Sequence, residues 1–121
     1  MVVQLLHPQE LEVYYILPAL RRELAKAMKK LGRSQKEIAG NLGVTEAAVS
    51  QYIHQKRATG VDFTKDLQKE ISDSASAIND RNSFLVATQK LIRKIRGDRF
   101  ICDVCKSQNK SMPKSCSMCY E

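Results

Sequence analysis

Residues Ser34–Ile53, SQKEIAGNLGVTEAAVSQYI, decide how this chain is to be read. The pattern is two short helices joined by a tight turn at Gly43. Ser34 begins the first, its hydroxyl placed to cap free backbone N–H groups, and Glu37 three residues later completes a capping box. Ile38, Ala39 and Leu42 form the inner face, and a side chain larger than Ala39 would push the second helix away where the two cross. Gly43 lets the backbone turn with positive φ, a conformation that costs energy for a residue with a Cβ. Val44 plugs the core beneath the turn and Thr45 caps the second helix. That helix turns Ala48 or Val49, Tyr52 and Ile53 inward, which leaves Glu46, Ala47, Ser50, Gln51 and His54 facing out.

The chain before this stretch is apolar and helical in period. Val2, Val3, Leu5, Leu6, Leu11, Val13, Tyr14, Tyr15, Ile16 and Leu17 crowd the first seventeen residues. Pro8 is placed to open a short helix and Pro18 to open the next, because proline suits a first helical position and not an interior one. From there Leu20, Leu24, Met28 and Leu31 recur every three or four positions as one core-facing stripe, and Gly32 ends the helix. The apolar start either caps this core or supplies a dimer surface; its helical spacing favours the core. After a polar exit, Gln55–Gly60, Asp62 is placed to cap a helix bearing Phe63, Leu67, Ile71, Ala75 and Ile78. The polar run Asn79–Ser83 predicts a break, followed by a helix with Phe84, Leu85, Thr88, Leu91, Ile92 and Ile95 that ends at Gly97. No segment alternates as a strand does, so the fold class expected is all-α.

Residues Arg33–Arg57 resemble the helix-turn-helix of the lambda-repressor-like, XRE-type transcriptional regulators. The resemblance is carried by Ala39, the Gly43 turn and the apolar set Ile38, Leu42, Val44, Val49 and Tyr52. The longer stretch Leu17–Arg57 is similar to archaeal regulators of that type. The resemblance implies a lambda-repressor-like domain whose second helix enters the major groove of double-stranded DNA while the first crosses the backbone. Glu46, Ala47, Ser50 and Gln51 are then the candidates for base contact: Gln pairs with adenine, Ala touches a thymine methyl, Glu accepts from cytosine N4. Many members carry Gln where this chain has Glu46. Arg33, Gln35, Lys36, Thr45, Lys56 and Arg57 are the candidates for holding phosphate. His54 reads as a helix-end residue that stabilises the terminus. One such helix offers few base contacts, so a homodimer is expected, with the helices after residue 61 as its natural element.

The charge distribution agrees with such a partner. The 121-residue chain has a formal net charge of +7, from 20 Lys+Arg and 13 Asp+Glu. The excess falls in two blocks, one over residues 21–57 around the motif and one over residues 81–99. A basic block on a helical domain suits phosphate neutralisation. The second block, with Lys90, Arg93, Lys94, Arg96 and Arg99, either lays further contacts on phosphate or is a solvated face.

Four cysteines follow that block. Cys102 and Cys105 form one CxxC, Cys116 and Cys119 another, with ten residues between. A tetrahedral ion needs four converging ligands, and two CxxC turns across a short hairpin supply them. The spacing resembles a short zinc ribbon or rubredoxin-like site, although Lys106 and Tyr120 stand where such knuckles usually carry Gly. The intervening loop has almost no apolar content, so a metal is what would order the tail. Zinc is the cofactor expected, as a closed structural site; an iron–sulfur cluster acting as a sensor is the alternative.

Three regions are therefore expected: a DNA-binding domain over residues 1–60 with its motif at 34–53, a helical dimerisation or linking region over 61–98, and a four-Cys tail over 99–121. The first ten residues show neither a basic leader nor a long apolar run, which points to the cytoplasm and away from membranes. An enzyme is not expected, since no nucleophile–base pair, phosphate loop or paired carboxylates occur. The leading function is a sequence-specific transcriptional regulator. The alternative is a transcriptional bridging factor, although in such factors the ribbon precedes the helix-turn-helix, and here it follows.

Overall fold

The structure, a computed structural model, describes residues 7–54 and 63–97. The described residues are mostly helical and contain no strand, as the all-α expectation requires. The chain opens with α1 (Pro8–Leu11), widens into a π-helical stretch (Glu12–Ile16) and continues as α2 (Leu17–Lys30). Two helices separated at Pro18 were expected; instead the backbone stays helical across Ile16 and Leu17. Proline supplies the reason. In a regular α-helix its ring would press on the carbonyl four residues back and its missing N–H would leave that carbonyl unpaired. The chain meets this with a wider turn just before it, where the Leu17 N–H reaches back to the Glu12 carbonyl.

The far end of α2 closes as the sequence suggests. Gly32 takes φ of 91°, its N–H donates to the Lys29 carbonyl at 3.0 Å, and the Arg33 N–H donates to the Met28 carbonyl at 3.2 Å. This pair of bonds satisfies carbonyls that a helix end leaves free. It also rotates the chain away from the core stripe, so Leu31 lies 54% exposed and not inside as its spacing implied.

Helix α3 (Gln35–Leu42) and helix α4 (Glu46–Ile53) follow. Beyond them, α5 (Lys65–Ala75) is capped by Thr64, whose hydroxyl accepts the Leu67 N–H at 3.3 Å. Asp62, the cap expected, lies outside the described residues. The break comes at residues 76–80, slightly earlier than the polar run suggested, and α6 (Arg81–Gly97) already contains residues 81–83. Its start is fixed by exchange between two side chains. The Ser83 N–H donates to Asp80 Oδ1 at 2.7 Å, and the Asp80 N–H donates to Ser83 Oγ at 3.0 Å.

The helices share a single core. Leu20, Leu24 and Met28 of α2 stand at its centre, with Ile38 and Leu42 of α3, Val49 of α4, Leu67 and Ile71 of α5, and Leu91 and Ile95 of α6 around them. Each such side chain contributes about 1.5–3 kcal/mol when fully buried, which outweighs any exposed ion pair. The core continues without a gap from residues before 60 to residues after it. The apolar start divides: Leu11 and Ile16 are buried, while Val13 and Tyr14 are exposed. On α6, Leu85 is exposed where its spacing implied burial, and Ala87 takes the inward place.

An ion pair joins the two ends of the described chain. Arg96 donates from Nε to Glu12 Oε2 at 2.7 Å and from Nη2 to Glu12 Oε1 at 2.8 Å, across 84 positions of sequence. The Glu12 side chain is only 8% exposed, whereas that of Arg96 is 53% exposed. Arg96 was a member of the basic run considered for phosphate; the structure spends it here.

Replacing Arg96 with Ala leaves a buried carboxylate without its bidentate partner. The expected loss in urea unfolding is about 1–3 kcal/mol, toward the lower end because Arg96 is itself half exposed. Adding Glu12→Ala should recover part of it, since the two sites share one interaction. Asp80 adds a pH dependence. Hydrogen bonding from the Ser83 backbone, and then from its side chain, holds the Asp80 carboxyl below its ordinary 3.8. A carboxyl with a lowered folded-state pKa stabilises above its unfolded pKa and loses that contribution as pH falls through the folded value. The stability difference between the wild type and Asp80→Asn should therefore shrink as pH is lowered below about 4, as acid-range denaturation curves would show.

Candidate nucleic-acid interface

Two capped, eight-residue helices build the candidate surface. Ser34 adopts an extended backbone and its Oγ accepts the Glu37 N–H at 3.1 Å. The expected capping box forms by half: the Glu37 carboxylate faces the Ser34 hydroxyl, 3.5 Å away. At the other end of α3, Gly43 takes φ of 69° in the left-handed region and donates its N–H to the Ala39 carbonyl. Val44 also donates to that carbonyl, at 3.0 Å, and packs against the core. Thr45 then caps α4, its Oγ1 accepting the Ala48 N–H at 3.1 Å.

This geometry presents α4 as the sequence implied. Ala48, Val49 and Tyr52 are buried, and Ile53 is partly buried. Glu46 and Ala47 are exposed, while Ser50 and Gln51 are half-buried on the flank of the same face. These four lie together along one side of a rigid helix, with Glu46 and Ala47 in its first turn. His54 ends the helix, with its Nδ1 2.7 Å from the Ser50 carbonyl, so the ring N–H closes the last turn.

The candidate phosphate contacts fare differently. Lys36 is exposed and Gln35 half-buried in the first turn of α3, and Thr45 is exposed. Lys56 and Arg57 lie outside the described residues. Arg33 is turned elsewhere: its Nη1 donates to the Ile78 carbonyl and its Nη2 to the Ser76 carbonyl at 3.5 Å. These carbonyls belong to the connector after α5, so Arg33 is a strut between that connector and the start of α3. No local pattern announces this, because the partners are 43 and 45 positions away.

Another arginine was missed. Arg81, the first residue of α6, lays its guanidinium over Gly43, in the space that a Cβ there would take. The connector thus runs beside α3, tied through Arg33, and Arg81 packs over Gly43 just beyond its other end. The one signal for Arg81 in the sequence was its place at the head of the second basic block.

Residues 24–69 match the helix-turn-helix family. The match begins in α2, contains α3 and α4 whole and ends within α5, so an XRE-type helix-turn-helix domain occupies the part of the chain just described. That is a family of DNA-binding domains and not of enzymes. Neither a curated protein nor a solved structure gives a match. The four residues aligned on α4 lie within the matched stretch; α1, the π-helical stretch and α6 lie outside it. All four cysteines lie outside the described residues, and among those described no three His, Cys, Asp or Glu side chains converge. No described helix is long and apolar enough to cross a membrane.

The caps set how firmly α4 is presented. Thr45→Ala removes the acceptor for the Ala48 N–H and should cost about 0.5–2 kcal/mol, with Thr45→Ser nearly neutral. Gly43→Ala must place a Cβ at positive φ and displace Arg81, for a cost of about 1–2 kcal/mol from the backbone alone. Thermal unfolding of the three variants measures both effects.

Proposed function

We propose that the protein is a sequence-specific transcriptional regulator that binds double-stranded DNA as a homodimer, with α4 in the major groove. The observation that carries this reading is the outward row Glu46, Ala47, Ser50 and Gln51 on a helix belonging to the matched domain. Gln51 offers bidentate pairing to adenine, Ala47 an apolar contact to a thymine methyl, and Glu46 an acceptor for the cytosine amino group. Lys36, Gln35 and Thr45 stand at the two helix starts, where backbone phosphates are held. Lys56 and Arg57 extend that set in sequence.

The dimer is supported by the small size of the reading surface, since one eight-residue helix offers few base contacts. The apolar stripe of α5 and α6, first considered for the dimer, is consumed by the core. What α6 still offers a second copy is the neighbouring exposed pair Leu85 and Val86.

Cys102, Cys105, Cys116 and Cys119 would hold a metal. Four thiolates suit zinc in a closed tetrahedral site, which supplies folding energy to a short polar hairpin and leaves no open position for chemistry. An iron–sulfur cluster on the same four thiolates is the other occupant that suits the donor set.

The test is selection of duplexes from a random library by the full chain purified without oxygen. The expected result is an enriched, two-fold symmetric sequence with half-site centres about one helical turn apart, from a colourless protein containing one zinc per chain. Failure to enrich any sequence would overturn the regulator, an asymmetric single site would overturn the dimer, and equivalent iron and sulfide would overturn zinc.

A further inference from the structure

We infer that Arg81, which lies beyond the matched helix-turn-helix domain, is a phosphate-positioning residue placed by α6 at the turn that leads into α4. The inference rests on the DNA-binding reading above. Three observations carry it. The first is location. The Arg81 guanidinium lies over Gly43, and two residues later Thr45 caps α4. A strand of DNA backbone passing the N-terminal turn of a recognition helix runs beside that point.

The second is fixation. Arg81 begins α6, and the backbone on either side of it is held by the paired bonds between Asp80 and Ser83. Gly43 provides the room for its guanidinium, because any other residue at that turn would bring a Cβ into the same space. The side chain is therefore carried to the turn by a well-anchored helix start.

The third is availability. Arg33 and Arg96 are both engaged with protein oxygens, the one with carbonyls and the other with Glu12. Arg81 is exposed and makes no ion pair or hydrogen bond to a described residue. Its sequence neighbour Asp80 accepts the Ser83 N–H at 2.7 Å. A planar, permanently charged fork beside the start of α4 is the group that phosphate oxygens bind bidentately.

The contact would carry affinity and register without sequence information, because every phosphate is alike. The test uses the full chain on the duplex enriched by selection, with dissociation constants measured by fluorescence anisotropy over a series of KCl concentrations. For Arg81→Ala the slope of log K against log salt should flatten by about 1.8, the value for two phosphate contacts, one from each protomer of the dimer. Arg81→Lys should restore most of the slope. Preference for the enriched duplex over a scrambled one should stay unchanged in both variants. A wild-type slope in Arg81→Ala would overturn the inference, including the case in which that variant merely melts earlier, since a purely structural role does not alter counterion release. A wild type that enriches no duplex would overturn the DNA-binding reading itself, which separates the two failures.

Discussion

Neither α3 nor α4 can stand alone. Each has eight residues, and isolated helices shorter than about 12–15 residues are marginal in water. The surface that would meet DNA is therefore only as well defined as the packing behind it. That packing begins with Leu20, Leu24 and Met28 of α2, against which Ile38, Leu42 and Val49 close the inner faces of both short helices. The helices on the C-terminal side belong to the same core and act as its other wall. Through Arg33 their connector also braces α3 near its start.

Three arginines show how the fold divides its positive charge. Arg33 bonds carbonyls of the connector after α5, and Arg96 neutralises the buried carboxylate of Glu12, so both serve cohesion. Arg81 reaches the turn of the motif without an ion pair to any described residue. Net charge alone overstates what is available to a nucleic acid. The electrostatic surface proposed for DNA is smaller than the two basic blocks suggest, and it gathers around α3 and the start of α4.

The motif itself was legible because its determinants are local. Ser34, Gly43 and Thr45 each act on a backbone within four residues, and the inward positions of α3 and α4 follow from helical period. The matched family then agrees with the reading of those residues. What escaped depends on distant partners or on the ends of elements. The bonds of Arg33 and Arg96 span 45 and 84 positions, which periodicity does not reach. Leu31 and Leu85 keep the period of their helices yet lie exposed, the first because the chain turns away at Gly32. Thr64 caps α5 where Asp62 offered an equally plausible oxygen two residues earlier, an ambiguity that cap preferences alone do not resolve. The bases chosen by Glu46 and Gln51, and the ion held by the four cysteines, are matters of chemistry that the helical pattern does not encode.

The central claim is that the outward face of α4 meets the base edges. Amide chemical-shift mapping of the isotope-labelled protein, titrated with its enriched duplex, tests it most directly. The result predicted is that the largest changes fall on Glu46, Ala47, Ser50 and Gln51, with smaller ones at Lys36 and Thr45 and little change along the buried row of α2. Changes confined to α6 or to the exposed Val13 and Tyr14, with α4 silent, would contradict it.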